Sequence, residues 1–372
     1  MAVSLRDKLR SAAPLSAKPA APQSKDCLCR RHCYAHADKY LPLCLSGKVL
    51  SLMQGVAMPD ICRNDILFLD TETTGLSGGA GTVAFLVGVG YFELDQLIVE
   101  QYLMRDYDEE VYVLGKVAEH METRTILCTF NGLSFDLPLL RSRGVMQRIR
   151  LKEPAFHLDL LHASRRVWKL RLKKCNLTAL EEAVLGRTRV DDLPGALVPE
   201  RFFRYLKERD MTLLEDVMDH NRQDIASLAD ILRHLMSLHA SPLEAGFCED
   251  IYSLGKIYEK RGQIEGARKC YRAASKGTTL WASQTSLAES LRKTGEYEQA
   301  AQAYENALCV KRSDIQVHIA LAKLYEHRLK DLHAALKHTR QALMLGAETE
   351  NADLAPIQKR YERLMLKMRR ND

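Results

Sequence analysis

Two acidic residues, Asp70 and Glu72, stand two positions apart at the end of an apolar run, LFLDTETTGL. Because side chains alternate along a strand, residues two apart point to the same face. Two carboxylates at the exposed end of a buried strand repel each other, and a hard divalent cation with oxygen ligands is the usual way to neutralise them. An Asp-x-Glu pair alone is weak evidence, since many strands end in polar residues.

Two further aspartates lie in segments whose patterns place them near the ends of regular elements. Asp136 starts a predicted helix in TFNGLSFDLPLL, and Asp224 lies on a predicted helix in HNRQDIASLADIL. His220 stands four residues before Asp224, so both side chains share one face of that helix. Asp159 follows a short apolar run and precedes another helix, where an N-cap is a better prediction than a metal ligand.

Taken in order, these segments resemble the DEDD-type 3′–5′ exonucleases of the ribonuclease H-like superfamily. The first motif of that group, Asp-x-Glu-Thr-Thr-Gly, is present as DTETTG, and the second, Asn-x3-Phe-Asp, as NGLSFD. The third motif is an aspartate on a late helix, here Asp224. The resemblance covers about residues 60–235 and implies phosphodiester hydrolysis of DNA or RNA.

The resemblance also implies a ligand set and a cofactor. Two divalent ions, Mg2+ or Mn2+, would be held by Asp70, Glu72, Asp136 and Asp224, with Asp70 bridging both ions. The superfamily places a tyrosine four residues, or a histidine five residues, before the last aspartate. This chain has a histidine at the tyrosine's spacing, His220. We expect it to position or deprotonate the attacking water, and the alternative is a simple hydrogen-bonded neighbour.

Candidate nucleic-acid contacts come from the motifs and from a basic run. Thr73 and Asn131 lie within the first two motifs. The basic run contains Arg165, Arg166, Lys169, Arg171, Lys173 and Lys174, with Trp168 inside it. Such runs attract phosphates, and an aromatic ring can stack on a base; a solvated helix face is the competing interpretation. The net charge of +6 and pI near 8.7 suit a polyanionic partner without requiring one.

The elements around these residues predict an α/β domain with a mixed sheet. Strands are predicted at Asp65–Asp70, Thr82–Phe92, Gln96–Met104, Thr125–Phe130 and Phe156–Leu158, and helices at Glu109–Met121 and Phe135–Arg143, the latter ending at Gly144. Residues 176–238 are predicted to be helical, with Thr178 and Glu181 as a capping box and with breaks at Gly186 and Pro194-Gly195. The nuclease-like domain is therefore predicted to span residues 60–238.

A repeat follows the breakers Pro242 and Gly246. Seven small, apolar or aromatic positions recur with a period of 33 residues. The first copy has Leu254, Gly255, Tyr258, Gly262, Ala267, Tyr271 and Ala274, and the second has Leu287, Ala288, Leu291, Gly295, Ala300, Tyr304 and Ala307. A third copy with one extra residue contains Leu321, Ala322, Tyr325, Ala335 and Ala342. This period resembles the tetratricopeptide repeat, which predicts an all-α domain at residues 247–372 that binds a protein partner and ends in a capping helix at Tyr361–Met368.

The N-terminal part carries weaker signals. Residues 1–26 are predicted to form a short helix and a flexible linker. Residues 27–59 hold Cys27, Cys29, Cys33 and Cys44, which are either a metal site of unusual spacing or small, partly buried side chains in a connecting segment. The reduced cysteines, the lack of an apolar leader and the lack of an apolar run of about 18 residues favour a cytoplasmic protein without a membrane partner.

A closer resemblance is to a bacterial subgroup of ribonuclease H-like proteins with C-terminal tetratricopeptide repeats. This resemblance rests on Cys33, on the segment Tyr40-Leu41-Pro42-Leu43 and on the segment HLDLLHASRRVWKLRL. The favoured hypothesis is a two-metal 3′–5′ exonuclease. The alternatives are a structure-specific endonuclease and a catalytically weak adaptor that binds nucleic acid and protein.

Overall fold

The computed structural model describes residues 26–75, 81–189, 193–348 and 353–371. The helix and linker predicted for residues 1–26 therefore lie outside the described residues, apart from Asp26. The strands are β1 (Leu28–Ala35), β2 (Cys44–Leu45), β3 (Ile61–Cys62), β4 (Ile66–Thr73), β5 (Ala84–Glu93), β6 (Gln96–Leu103), β7 (Ile126–Thr129) and β8 (Phe156–Asp159). Each strand predicted from the sequence is confirmed, with ends that differ by a few residues.

In the described ranges, six of these strands form one sheet in the order β1-β6-β5-β4-β7-β8. Neighbours from β1 to β4 are antiparallel, whereas β4, β7 and β8 run parallel to one another. The predicted mixed sheet is confirmed. Because β4 lies between β5 and β7, the strand that carries Asp70 and Glu72 is covered on both edges.

The edge strand β1 was not predicted, because its sequence LCRRHCYA shows few apolar residues. Its side chains alternate between partly buried and exposed along the whole strand. Cys29 and Cys33 are exposed on this strand, Cys44 is exposed on β2, and Cys27 is buried. The expected connecting segment is therefore a sheet edge. Across the described residues, no group of three or more His, Cys, Asp or Glu side chains is arranged to hold a metal ion, these cysteines included.

The helices of the α/β part lie on both faces of the sheet. They are α1 (Gly47–Gln54), α2 (Glu110–Thr123), α3 (Asp136–Gln147), α4 (Leu160–Trp168), α5 (Leu177–Leu180), α6 (Val198–Glu208) and α7 (Glu215–Ala240). The long helix α7 contacts β4, β5 and β6. It carries both His220 and Asp224 across the sheet.

The helical region predicted from residue 176 to 238 is interrupted, as predicted, at Gly186 and at Pro194-Gly195. A single π-helical turn at Glu181–Leu185 follows α5, and Gly186 then takes a left-handed conformation with φ 65° that ends the helix. The chain stays non-helical through Arg189. The predicted capping box of Thr178 and Glu181 is wrong. The N-cap residue of α5 is Asn176, and Glu181 pairs with Arg189.

The C-terminal part is all helical, as predicted. Its helices are α8 (Cys248–Lys260), α9 (Ile264–Ala273), α10 (Leu280–Thr294), α11 (Tyr297–Val310), α12 (Ile315–Leu324), α13 (Leu332–Ala347) and α14 (Ala355–Asn371). Small residues let paired helices approach: a Cβ at Gly266 would lie 2.4 Å from the Tyr258 ring. The extra residue of the third copy is absorbed by a π-helical turn at Tyr325–Leu329, since such a turn inserts one residue into a helix.

The last helix, α14, is longer than the predicted capping helix and is anchored by one buried carboxylate. Glu326 accepts hydrogen bonds from Arg363 Nε at 2.9 Å and Lys367 Nζ at 2.8 Å, and it also pairs with Arg360. Burial alone would raise the pKa of Glu326, but these cations outweigh it and lower the pKa to about 2. Among the described residues, no helix has the length and apolarity needed to cross a membrane.

The first repeat shares a core with the α/β part. Ile251, Leu254 and Ile257 of α8 belong to the same buried cluster as Trp168 and Leu235. The junction also contains polar contacts. Arg171 pairs with Asp250 at 2.9 Å, and the Tyr258 hydroxyl donates to the His239 carbonyl at 2.6 Å. The predicted boundary near residues 238–246 is thus a turn in the chain without a gap in the core.

This shared core predicts unequal stability for two truncated chains. A chain ending at residue 246 loses the α8 side chains that cover the cluster, at about 1.5–3 kcal/mol for each large apolar residue. A chain ending at residue 276 keeps α8 and α9. We expect the shorter chain to unfold at a clearly lower temperature in a thermal melt followed by circular dichroism. Equal midpoints for the two chains would contradict a shared core.

Candidate active site

Asp70 and Glu72 lie near the C-terminal end of β4, where both are partly exposed. Asp70 stands opposite Gly88 of β5, and the register shifts between Glu72 and Thr73. A Cβ at position 88 would lie 2.2 Å from Oδ1 of Asn221. Glycine is therefore required there for α7 to reach the strand.

Asn221 connects α7 to the first carboxylate. Its Nδ2 donates to Oδ2 of Asp70 at 2.9 Å, and its Oδ1 accepts from Nε2 of Gln101 at 3.0 Å. The Gln101 amide also donates to the Met218 carbonyl at 2.7 Å, which fixes the orientation of both amides. Asn221 and Gln101 are missing from the predicted site. In the sequence, the signal that a helix packs closely on this strand was the presence of glycine at positions 88 and 90 of an otherwise apolar run.

Asp136 is the first residue of α3 and is buried. Its Oδ1 accepts a hydrogen bond from Oγ1 of Thr71 at 2.6 Å. The side chain therefore reaches β4, the strand that carries the first two acids. The predicted convergence of the second motif on the first is present in the structure.

Asp224 and His220 meet an arginine that no motif includes. Nη2 of Arg189 donates to Oδ1 of Asp224, and Nη1 donates to Nδ1 of His220 at 3.1 Å. Arg189 also forms a two-point pair with Glu181, with both distances 2.6 Å. Glu181 in turn accepts from the Ser227 hydroxyl. These contacts form a buried polar network beside the acidic residues.

The arginine contact determines the tautomer of His220. A guanidinium has N–H donors and no acceptor, so Nδ1 of His220 must be the acceptor of this hydrogen bond. The neutral imidazole then carries its proton on Nε2, which lies 3.7 Å from Oδ2 of Asp224. In this arrangement the imidazole presents a donor, without a free lone pair, on its Nε2 side.

All four acids have raised pKa values, and desolvation by burial is the largest cause for each of them. Desolvation raises the pKa of Asp70, and the charges of Asp224, Glu72 and Asp136 raise it further. Desolvation also raises the pKa of Glu72, to about 8, against the opposing charges of His220 and Arg189. Burial raises the pKa of Asp136 to about 6 and that of Asp224 above its ordinary value. Four acids with raised pKa values in one place form a site that a cation would stabilise.

The donor chemistry fits a hard divalent ion, because every acidic donor is a carboxylate oxygen. Asp224 is bound to Arg189, Asp136 to Thr71 and Asp70 to Asn221. As placed, the described residues contain no group of three or more His, Cys, Asp or Glu side chains arranged to hold a metal ion. Binding would therefore require small rearrangements within the same residues.

Comparisons with known proteins agree with this geometry. A family model described as the RNase_H superfamily matches residues 67–236. The chain is 31% identical over 318 residues to the "Uncharacterized protein YprB" of Bacillus subtilis (strain 168), and the match covers 82% of this chain and 75% of that protein. This chain belongs to the ribonuclease H superfamily. Two models described as tetratricopeptide repeat match residues 251–276 and 285–315, so the predicted repeat family is also confirmed.

Two solved structures show partial similarity to this superfamily member. PcrH from Pseudomonas aeruginosa has 21% sequence identity and a TM-score of 0.28, covering 32% of this chain and 91% of that chain. The family B DNA polymerase from the hyperthermophilic archaeon Pyrobaculum calidifontis has 13% identity and a TM-score of 0.36, covering 53% of this chain and 29% of that chain.

The second motif of this ribonuclease H-like domain is organised by Asp159. Its carboxylate accepts from the backbone N–H of Asn131 at 2.9 Å, Leu133 at 3.1 Å and Leu161 at 3.1 Å. The contact to Leu161 confirms the predicted N-cap of α4. Asn131 has a φ of 68°, and both Asn131 and Leu133 are exposed. Thr73, by contrast, is buried and donates to the Gly75 carbonyl at 2.7 Å.

The basic run divides into structural and exposed members. Trp168 is 1% exposed, so the expected stacking on a base is wrong. Arg171 pairs with Asp250 and lies over the Phe247 ring, and Arg166 donates to the Met53 carbonyl at 2.6 Å. These two arginines therefore contact α1 and α8, while Arg166 remains exposed. Arg165, Lys169, Lys173 and Lys174 line a cavity of about 500 Å3 with Cys175 and Asn176.

The crowding of like charges predicts the behaviour of Asp70→Asn. Removing one of four acids relieves repulsion, so the metal-free protein should keep or increase its thermal stability. Mn2+ at about 100 times its Kd should stabilise the wild type by about 2.7 kcal/mol. The variant should lose most of that stabilisation. Thermal melts with and without Mn2+ measure both effects.

The matched control is Asp219→Asn, an exposed acid on the same helix as Asp224 that pairs only locally with Arg222. This control should respond to Mn2+ like the wild type. An Asp70→Asn protein that gains as much stability from Mn2+ as the wild type would remove Asp70 from the metal site.

Proposed function

We propose that this protein is a metal-dependent nuclease that hydrolyses phosphodiester bonds of nucleic acid, as a 3′–5′ exonuclease of the DEDD type using two divalent ions. The observation that carries the proposal is the meeting of Asp70, Glu72, Asp136 and Asp224 within a ribonuclease H superfamily domain. Their raised pKa values support a role as ligands, because a bound cation offsets the charge that otherwise disfavours ionisation.

Divalent ions bound there would lower the pKa of an attacking water and offset the charge of the phosphate. The protein's part is to hold the ligands in place. Asn221 keeps the Asp70 carboxylate oriented, and Thr71 does the same for Asp136. Both supports are themselves packed in the sheet–helix interface, so the ligand positions depend on few mobile groups.

His220 is assigned the positioning of the attacking water, with its Nε2–H as donor. Its Nδ1 is already the acceptor for Arg189, which argues against proton abstraction by the same ring. The proton of the water then leaves to solvent or to a carboxylate. Of the two roles considered for His220, the proposal is therefore the positioning of the water and not its deprotonation.

The substrate is proposed to contact two surfaces. The loop at Asn131 and Leu133, which Asp159 holds next to the second motif, is exposed and follows β7. Arg165 and Lys169 supply positive charge for the phosphate backbone. The repeats are proposed to recruit a protein partner, and Arg292, Lys323 and Arg328 in a cavity of about 600 Å3 favour an acidic one.

A second candidate function has one observation in its favour. Asp224 is paired with Arg189 through Oδ1, so the guanidinium competes with an ion for that oxygen. A protein in which the pair stays closed would bind nucleic acid and a partner with little hydrolysis. The activity assay distinguishes this adaptor from the nuclease.

The deciding experiment uses 5′-labelled single-stranded and duplex DNA and RNA, incubated with the full chain and Mn2+ or Mg2+. A ladder that shortens from the 3′ end supports the exonuclease, and discrete internal products indicate an endonuclease. Asp136→Asn is the inactive control. If the wild type binds the substrates but leaves all of them uncut even at high enzyme concentration, the result would support the adaptor.

The assigned role of His220 predicts a difference between two substitutions. His220→Gln keeps a side-chain N–H donor and should retain turnover within about tenfold, whereas His220→Ala should lose about a hundredfold. Turnover is measured at saturating Mn2+ from pH 6 to 9. A general base would instead give both variants the same large loss and would abolish the fall in activity on the acidic side of the pH profile.

A further inference from the structure

Arg189 lies on the non-helical segment after Gly186, outside every sequence motif. Its side chain is 5% exposed, although arginine is among the residues least often buried. Burial of a guanidinium is costly unless charged partners compensate it. Two carboxylates do so here: Glu181 through two hydrogen bonds, and Asp224 through one.

The position of this cation matters because Asp224 is a proposed metal ligand. Nη2 of Arg189 donates to Oδ1 of Asp224, one of the two oxygens that could hold an ion, and Oδ2 lies 3.7 Å from Nε2 of His220. Glu181 holds the guanidinium from the other side, and the Ser227 hydroxyl holds Glu181. Arg189 is therefore fixed from behind by a carboxylate that has no contact with the other three acids among the hydrogen bonds and ion pairs of the described residues.

We propose that Arg189 is a positioning residue that competes with a divalent ion for Asp224. This inference rests on the proposed function. In the metal-free protein, Arg189 neutralises Asp224 and fixes the His220 imidazole. An ion that Asp224 would hold through Oδ1 would have to displace Nη2, whereas an ion held by the other acids would not. The two ions should therefore bind with different affinities, and the weaker one reports on Arg189.

The test is a Mn2+ titration of the full chain, in which electron paramagnetic resonance measures free Mn2+ without any substrate. The main variant combines Arg189→Met with Glu181→Gln. It removes a cation and an anion together, so the local net charge is unchanged and only Asp224 loses an ion-pair partner. We expect the weaker Mn2+ class to tighten by at least about tenfold, since the direct competitor for Asp224 is gone.

For Glu181→Gln alone we expect the opposite change in the Mn2+ affinity of the weaker class. With one carboxylate fewer, Arg189 pairs more strongly with Asp224, and the weaker class should weaken further. The matched control is Arg187→Met, which removes a neighbouring arginine that is 54% exposed and pairs with Asp230. It should leave both classes within about twofold, because exposed charges contribute little.

The Mn2+ titrations distinguish competition by Arg189 from its absence. Equal Mn2+ affinities in the paired variant and the wild type would overturn the competition, as would two equally tight ions in the wild type. A folded variant is recognised by an unchanged circular dichroism spectrum, and the opposite signs of the two variants separate competition from general damage. Mn2+ binding that is absent, or insensitive to Asp70→Asn, would overturn the proposed metal site itself and this inference with it.

Discussion

The close approach of α7 to the sheet is the constraint on which the rest of the site depends. It needs glycine at two alternate positions of β5: a Cβ at Gly88 would lie 2.2 Å from Asn221, and one at Gly90 would lie 2.4 Å from Ile225. Because side chains alternate along a strand, both positions face the helix. The 26-residue helix is thereby pressed onto the strands, and His220, Asn221 and Asp224 reach the acids of β4.

The electrostatic cost of this arrangement explains the polar network around it. Acids that share a partly dehydrated site resist ionisation, which is visible in the raised pKa values of Asp70 and Glu72. A protein can lower that cost with bound ions or with its own cation. Arg189 does the second for Asp224 and is itself balanced by Glu181. The affinity for the proposed ions would therefore depend on how readily that pair opens.

The sequence predicted the sheet and the acids because both leave local signals. Apolar runs of strand length located β4 to β8, and the motif spacing located Asp70, Glu72, Asp136 and Asp224. Arg189, Glu181 and Asn221 were not predicted. Their roles come from contacts across 8 to 151 positions in the chain, which no local pattern reports.

The errors have local physical causes. Strand β1 was missed because an exposed edge strand carries charged residues such as Arg30 and Arg31, which obscure the alternation. The stacking role of Trp168 was wrong because burial is a tertiary property: Trp168 lies in the core, and Arg171 beside it pairs with Asp250 of the repeats. The extra residue of the third repeat was detected in the sequence, but its accommodation as a π-helical turn was not.

The same helix that builds the site also carries the repeats. Beyond Asp224, α7 continues through Leu228, Leu232 and Leu235, which lie in the core cluster that α8 completes with Leu254. A repeat domain tied to its neighbour only by a flexible linker would hold a partner at variable distance. Here the ion pair between Arg171 and Asp250 and the shared core make the first repeat a continuation of the α/β part. A partner bound to the repeats would therefore stand at a defined position relative to the acids, and a change in the first repeat would reach the site through α7 as altered packing.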